Sequence, residues 1–298
     1  MKPGSIIDSD QSKSPTETSM SDHDLVTASE FARLIAGFTN TPKDQVWERL
    51  EEEFAHPGST VAKDWERLAP STPEEITRFY QETDSYIYDL SADHSRVRRR
   101  PVEEAIHQRI AEHGQRLKVL VYGDGIGTDS LKISRNGHAV TYFDLPGKSS
   151  SFARYRFEQE VPKSTHSAPV AVFKKDEIPS GAFDVVVCVE VLEHVPDPPG
   201  VMRELARALK PGGIALITES FASIGPEFPS HLPENFKYAG KTHRMMEELG
   251  FANTYYNKDP LNYPMEFTKV APGISGSLLV LLNRLKRATD TRLRRWRS

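Results

Sequence analysis

Apolar side chains first recur with a regular period from Ala28, where Phe31, Leu34, Ile35 and Phe38 fall at i, i+3, i+4 and i+7, the spacing of one helix face. Thr41-Pro42, an N-cap residue followed by an N1 proline, predicts a second helix carrying Val46, Trp47, Leu50 and Phe54, and Thr72-Pro73-Glu74-Glu75 repeats the start signal. Residues 25 to about 112 read as four or five short amphipathic helices with little strand signal, each with an apolar stripe that needs a partner. This predicts a helical cap or accessory segment packed on the part of the chain beyond residue 112. Residues 1 to about 24 are rich in Ser, Asp, Thr and Pro and cannot bury enough surface to offset ordering entropy, so they read as a disordered leader.

The period changes at Leu117. Leu117 to Tyr122 reads as a buried strand, then come Gly123-Asp-Gly125-Ile-Gly127 and a helical stretch from Thr128 to about Asn136, closed by Gly137. Further strands are predicted at Ala139 to Phe143, Val170 to Phe173, Phe183 to Cys188 and Ile214 to Thr218, with helices at about Asp197 to Leu209 and Tyr238 to Leu249. Strands alternating with helices imply an α/β fold with a doubly wound, mostly parallel sheet covered on both faces. Phe251 to Tyr256 and Phe267 to Val270 succeed one another without a helix, which predicts an antiparallel hairpin at the end of the sheet. The sheet-forming part is expected over 113–272 and a basic amphipathic helix over 273–298.

Composition narrows the classes. The chain has 298 residues, 38 Lys plus Arg against 42 Asp plus Glu, and one cysteine. Collagen-like, disulfide-scaffold and wholly disordered chains are excluded, as is a zinc site built on a cysteine cluster. The longest strongly apolar run, Leu278 to Leu282, is far shorter than the roughly 20 residues that cross a bilayer, and no signal-peptide pattern opens the chain. A cytoplasmic protein is expected. From Arg284 to Ser298 there are seven basic residues and one acidic, so everything before carries 31 basic against 41 acidic residues. The acidic body argues against DNA or RNA as partner. The leucines and arginines of the tail suit peripheral contact with an anionic membrane, against the plainer expectation that the leucines pack on the body or on a second subunit.

A strand running into Gly-x-Gly-x-Gly and then a helix lets a ligand approach the backbone and offers free N–H groups at the helix start. Asp144, at the end of the next strand, is placed to accept hydrogen bonds from a ribose diol. The dinucleotide fingerprint needs glycine one position beyond Gly127, where Thr128 stands, so the spacing leans away from NAD. A tight turn that binds nothing is the plain alternative.

The stretch from Phe183 to Pro198, FDVVVCVEVLEHVPDP, and the later LKPGG ending at Gly213 resemble class I S-adenosylmethionine (SAM)-dependent methyltransferases, particularly the ubiquinone-pathway O-methyltransferase branch, over about residues 117 to 255. The resemblance implies a seven-stranded Rossmann-like methyltransferase sheet and SAM as cofactor. It implies that Gly123, Gly125 and Gly127 line the methionine and ribose portions, that Asp144 takes the ribose hydroxyls, that Asp176 lies beside the adenine amine and that Val189 flanks the cofactor. Asp176 has the alternative of being a surface loop acid. The family usually carries an acid two positions before the first glycine. Here Val121 stands there, and Asp124 is the candidate to replace it toward the cofactor's amino group.

Methyl transfer is an in-line displacement at an activated sulfonium methyl, so the protein must chiefly align the acceptor and remove its proton. His194 is the candidate base, lying just past the fourth strand at the sheet's carboxyl edge, with packing or capping a turn as the alternative. Glu190, Glu193 and His194 form a cluster able to hold a divalent ion such as Mg2+, and His231 is a further candidate for catalysis or ligation; a helix-start acid is the alternative for Glu193. Tyr86 and Tyr88, with Arg96, Arg98, Arg99 and Arg100, sit at the junction of cap and sheet, where packing and a solvated basic face are the plain expectations. The leading expectation is a methyltransferase acting on a small molecule, most often at oxygen. The alternatives are an RNA methyltransferase and a fold that binds cofactor without turnover.

Overall fold

The structure is a computed structural model, which describes residues 22–96, 99–160, 166–225, 228–255 and 263–271. The leader up to residue 21, Arg98 and the basic tail from 272 onward lie outside the described residues. Six helices precede the sheet: α1 (Asp22–Thr39), α2 (Lys43–Ala55), α3 (Ser59–Leu68), α4 (Pro73–Glu82), α5 (Ser85–Ser95) and α6 (Arg100–His113). The Thr72 signal is used as the sequence predicts: its side chain accepts from the Glu75 amide, Glu75 reaches back to the Thr72 amide, and Pro73 opens α4. At Thr41-Pro42 the start differs, because Pro42 itself is the N-cap and no side chain caps α2.

The sheet-forming part runs β1 (Lys118–Tyr122), α7 (Thr128–Arg135), β2 (Ala139–Phe143), α8 (Lys148–Glu160), β3 (Val170–Val172), β4 (Phe183–Cys188), α9 (Pro198–Ala208), β5 (Leu209–Ile217), α10 (Thr242–Glu248), β6 (Phe251–Tyr255) and β7 (Met265–Lys269). The seven strands lie in the order β3-β2-β1-β4-β5-β7-β6. The pairings among β1 to β5 are all parallel, and β7 runs antiparallel between β5 and β6, as the closing hairpin predicts. Strand order reverses beside β1, so the carboxyl ends of β1, β2 and β4 form the crevice where open α/β sheets bind ligands.

The layers are set by burial. Val102, Ile106 and Ile110 of α6 pack with Val119, Val121, Val185, Val187 and Leu216 on one sheet face, so α6, counted with the cap in the sequence, belongs to the sheet layer. Val201, Met202 and Leu205 of α9 and Met246 of α10 share a core with Cys188, Ala215 and Phe267. The helices α1, α2 and α5 bury Phe31, Ile35, Val46, Leu50 and Ile87 around Ile126 of the glycine loop and Phe152 of α8. Each such side chain contributes roughly 1.5–3 kcal/mol on burial, so the cap's apolar stripes are satisfied only by docking on the sheet-forming part.

Candidate functional site

Gly123, Gly125 and Gly127 all adopt left-handed backbone, with φ of 75°, 50° and 77°. A Cβ at Gly123 would stand 2.5 Å from Val191, at Gly125 2.6 Å from Leu90 of the cap, and at Gly127 2.6 Å from Phe157. The glycines are thus required by backbone conformation and by protein packing, not only by a ligand's approach. Asp144 fastens the loop: its carboxylate accepts from the Gly125 amide at 2.6 Å and from the Leu145 amide at 2.7 Å. Burial pushes it up to about 6 in spite of those two donors. The glycine amides are engaged within the protein, Gly123 with the Phe143 carbonyl at 2.7 Å, Gly125 with Asp144 and Gly127 with the Asp124 carbonyl at 2.8 Å, so it is the desolvated carboxylate at the end of β2 that fits the ribose end of SAM. Val189 lies directly after β4, half-buried, while Asp176 is exposed on a short 3₁₀ turn, Lys175–Glu177, after β3.

Asp124 has other partners than a cofactor. Its carboxylate accepts from the amides of Asp129 at 3.2 Å and Ser130 at 2.7 Å, capping α7. Burial, then the neighbouring Asp129, pushes it up to about 7. A carboxyl that binds its proton more tightly in the folded chain contributes stability that is complete below the ordinary aspartate value near 3.9 and is lost as pH rises through about 7. The melting temperature is therefore expected to fall between about pH 4 and about pH 7, and to fall less steeply in Asp124→Asn; parallel pH melts check this, and equal slopes would refute it.

At the end of β4 the chain turns sharply, with Glu190 at φ 50° and its amide donating to Thr218 Oγ1 at 3.0 Å. Ser220 Oγ lies 2.7 Å from Glu190 Oε2 and 2.6 Å from Glu193 Oε1, but one hydroxyl proton serves only one of them. Glu193 is fully buried, and burial followed by the Glu190 charge pushes its carboxyl well above the usual range. It is held as a neutral acid beside Glu190.

The next residue, His194, has Nδ1 at 3.2 Å from the Ser230 carbonyl, and His231 has Nδ1 at 2.7 Å from the Ser223 carbonyl. The Ser223 carbonyl can only accept, so His231 carries hydrogen on Nδ1 and keeps a lone pair on Nε2; at His194 the Ser230 hydroxyl also lies 3.2 Å from Nδ1 and, having accepted from Tyr86, has its own proton to give, so Ser230 suits either tautomer of His194. The rings stand edge to face, 4.6 Å apart. Burial, then His231, pushes His194 down to about 3, so it is uncharged.

Glu193, His194 and His231 each bring one potential ligand atom to within 4.8 Å of the others. This set differs from the Glu190, Glu193 and His194 expected from the sequence, with His231, the further candidate ligand, standing where Glu190 was expected. Two imidazoles and one carboxylate suit a borderline transition ion better than Mg2+, which asks for oxygen ligands.

The cap completes the site. Tyr86 donates to Ser230 Oγ at 2.7 Å, its ring is stacked on Tyr80 at 5.3 Å, and Tyr80 stands edge-on to His194 at 6.3 Å. Burial pushes the Tyr80 hydroxyl up, with the charges of Glu193 and Asp144 both adding to the shift. Tyr80 was not legible as a site residue. Tyr88 belongs to the cap core, under the Arg49 guanidinium at 3.5 Å. Arg96 donates to the carbonyls of Glu53 and Phe54, and Arg99 pairs with Asp129 at 3.1 Å, so both hold the cap and α7 in place.

A family model described as a methyltransferase domain matches residues 94–259. The ubiquinone biosynthesis O-methyltransferase of Bordetella avium is 35% identical over 130 residues, 41% of this chain and 53% of that protein. The protein of the same name from Bordetella pertussis is 39% identical over 124 residues, 39% and 50% of the two chains. This chain spans about half the length of the curated relatives it matches. A solved structure of magnesium protoporphyrin IX methyltransferase from Synechocystis with bound SAM is similar at a TM-score of 0.44 and 16% identity, over 70% of this chain and 96% of that one.

Proposed function

The chain belongs to the methyltransferase-domain family, and on that premise we propose that it transfers a methyl group from SAM to an oxygen of a small-molecule acceptor. The observation that carries the reading is the convergence of Asp144 and the glycine loop with the His194 and His231 pair beneath Tyr80 and Tyr86. The choice of oxygen rests on the names of the curated relatives. When bound, SAM supplies a methyl group activated by its sulfonium charge. Asp144 orients it, and the cap tyrosines exclude water and hold the acceptor in line. Nε2 of His194 accepts the acceptor's hydroxyl proton as the new carbon–oxygen bond forms, leaving the demethylated cofactor and a methyl ether. Asp176 and Val189 flank the adenine end.

Incubation of the purified chain with methyl-labelled SAM and fractionated cell extract, its small molecules and its RNA kept as separate fractions, tests the reading. Label is expected in a low-molecular-weight product together with S-adenosylhomocysteine. Binding of SAM with no demethylated cofactor in any fraction would make the chain a binder without turnover, and label in RNA alone would move the acceptor to nucleic acid.

A second reading rests on Glu193, His194 and His231 each bringing one potential ligand atom to within 4.8 Å of the others. Here Glu193, His194 and His231 hold a divalent transition ion that lowers the pKa of the acceptor hydroxyl. Exhaustive chelation then abolishes turnover and Zn2+ or Mn2+ restores it. Turnover indifferent to chelator leaves the imidazole as the base.

A further inference from the structure

A cavity that shares no residue with the loop glycines, Asp144 or His194 lies where α1 and α5 meet the start of α7 and the last turns of α8. It measures about 110 Å³, and Arg33, His94, Thr128 and Arg156 are among the residues lining it. Arg156 is only 8% exposed and His94 only 9%. A guanidinium taken so far out of water is ordinarily paired with a carboxylate. Arg156 instead donates through Nη1 to the Ile126 carbonyl and to Thr128 Oγ1 at 2.9 Å, with the Phe31 ring 4.9 Å away, and among the described residues it makes no ion pair. The acids around it are otherwise engaged: Asp124 by two amides, Asp129 by Arg99 at 3.1 Å and Glu160 by Arg135 at 2.7 Å. Glu30 stands exposed at the rim.

The hydroxyl of Thr128 settles the state of the histidine. Having accepted from Arg156, Thr128 has its own proton to give to Nδ1 of His94, 2.8 Å away. An imidazole that accepts at Nδ1 while uncharged carries its hydrogen on Nε2. Burial, then the charges of Arg99, Lys132 and Arg156, holds His94 well below its ordinary value and keeps it uncharged. Nε and Nη2 of Arg156 and Nε2 of His94 are thus three donors without a partner among the described residues, on side chains that line the same cavity. Beside them runs the first turn of α7, whose Asp129 and Ser130 amides are already taken by Asp124.

We infer that this cavity binds a compact oxyanion, a phosphate or carboxylate group, between Arg156, His94 and the first turn of α7, clamping the cap helices onto the sheet-forming part. The bound group accepts from Arg156 Nη2 and His94 Nε2, and Arg33 at the exposed rim adds long-range attraction. The site is independent of the methyl-transfer reaction.

Calorimetric titration and thermal melts of the full chain with inorganic phosphate, and separately with acetate, at ionic strength held constant with KCl, test the inference. Saturable binding of one of the two is expected, with a melting temperature that climbs with its concentration, as binding to the folded state alone requires. Phosphate without acetate identifies a phosphoryl group as the natural ligand, and acetate without phosphate a carboxylate. Arg156→Met is expected to weaken binding by about tenfold or more, the loss of a charge-assisted donor. Because that change also removes bonds to Ile126 and Thr128, Arg33→Ala is the second variant: its melt without anion stays as in the wild type while its affinity drops. Absence of saturable binding by either anion, wild-type affinity in both variants, or displacement of the anion by S-adenosylhomocysteine would each overturn the site.

Discussion

His194→Ala is expected to reduce turnover with the natural acceptor by about 100-fold to 10,000-fold, the usual loss on removing a general base, while cofactor affinity stays nearly unchanged. The expectation rests on how the ring is held. Ser230 holds Nδ1 through its carbonyl or its hydroxyl, each 3.2 Å away, and the tautomer that donates to the carbonyl leaves the lone pair on Nε2. Burial keeps the ring uncharged at neutral pH, but a ring held down to about 3 is a weak base, so the expected loss lies at the lower end of that range. The cofactor loop is a separate stretch of chain held by Asp144 and Tyr142, and the substitution touches neither bond. Turnover and SAM titration on the same preparation decide the matter. Equal losses in both would make His194 a packing residue, and an undiminished rate would remove it from the reaction.

Asp144→Ala is expected to weaken SAM binding by about 1.5–3 kcal/mol, the range for hydrogen bonds to a charged group, or roughly 10-fold to 150-fold in Kd. Two effects combine: the ribose acceptor disappears, and the Gly125 and Leu145 amides lose the carboxylate that positions the loop. Asp144→Asn keeps one acceptor and should fall between wild type and alanine. A pH dependence goes with it. Since burial pushes Asp144 up to about 6, the ionised form that accepts two ribose hydroxyls dominates above that value and is depleted below it. Affinity should therefore decline as pH drops through about 6, and the decline should vanish in Asp144→Asn. Calorimetry across pH checks both; unchanged affinity in the alanine variant would show that the end of β2 is not the ribose site.

Much of this arrangement was written in local pattern. Leu117 to Tyr122 is an almost unbroken apolar run ending at a glycine, and β1 occupies it almost residue for residue. Phe183 to Cys188 and the closing hairpin were legible for the same reason. Helix α8 was not, because its buried positions include Ser150, Ala153 and Arg156 beside Phe152 and Phe157, so the stripe that marks a helix is broken by small and charged residues. Arg156 is buried there for its contacts with Ile126 and Thr128, which no window along the sequence can reveal. The same limit applies to the site. Glu193, His194 and the glycine loop sit in contiguous motifs, whereas the Tyr86 to Ser230 bond joins positions 144 residues apart. Asp124 shows the converse: a residue inside the motif whose carboxylate is spent on the adjoining helix.

Cys188 ends β4 with no exposed surface, and burial raises its thiol above the ordinary cysteine value, which keeps it in the unreactive protonated form. It is also the chain's single cysteine. Alkylating reagents and maleimide dyes therefore have nothing to modify in the folded protein, and a cysteine placed at the exposed Glu74 of α4 becomes the one reactive thiol. A fluorophore attached there reports cap movement over the sheet without background labelling, so docking and undocking of the helices that carry Tyr80 and Tyr86 can be followed in real time as cofactor is added.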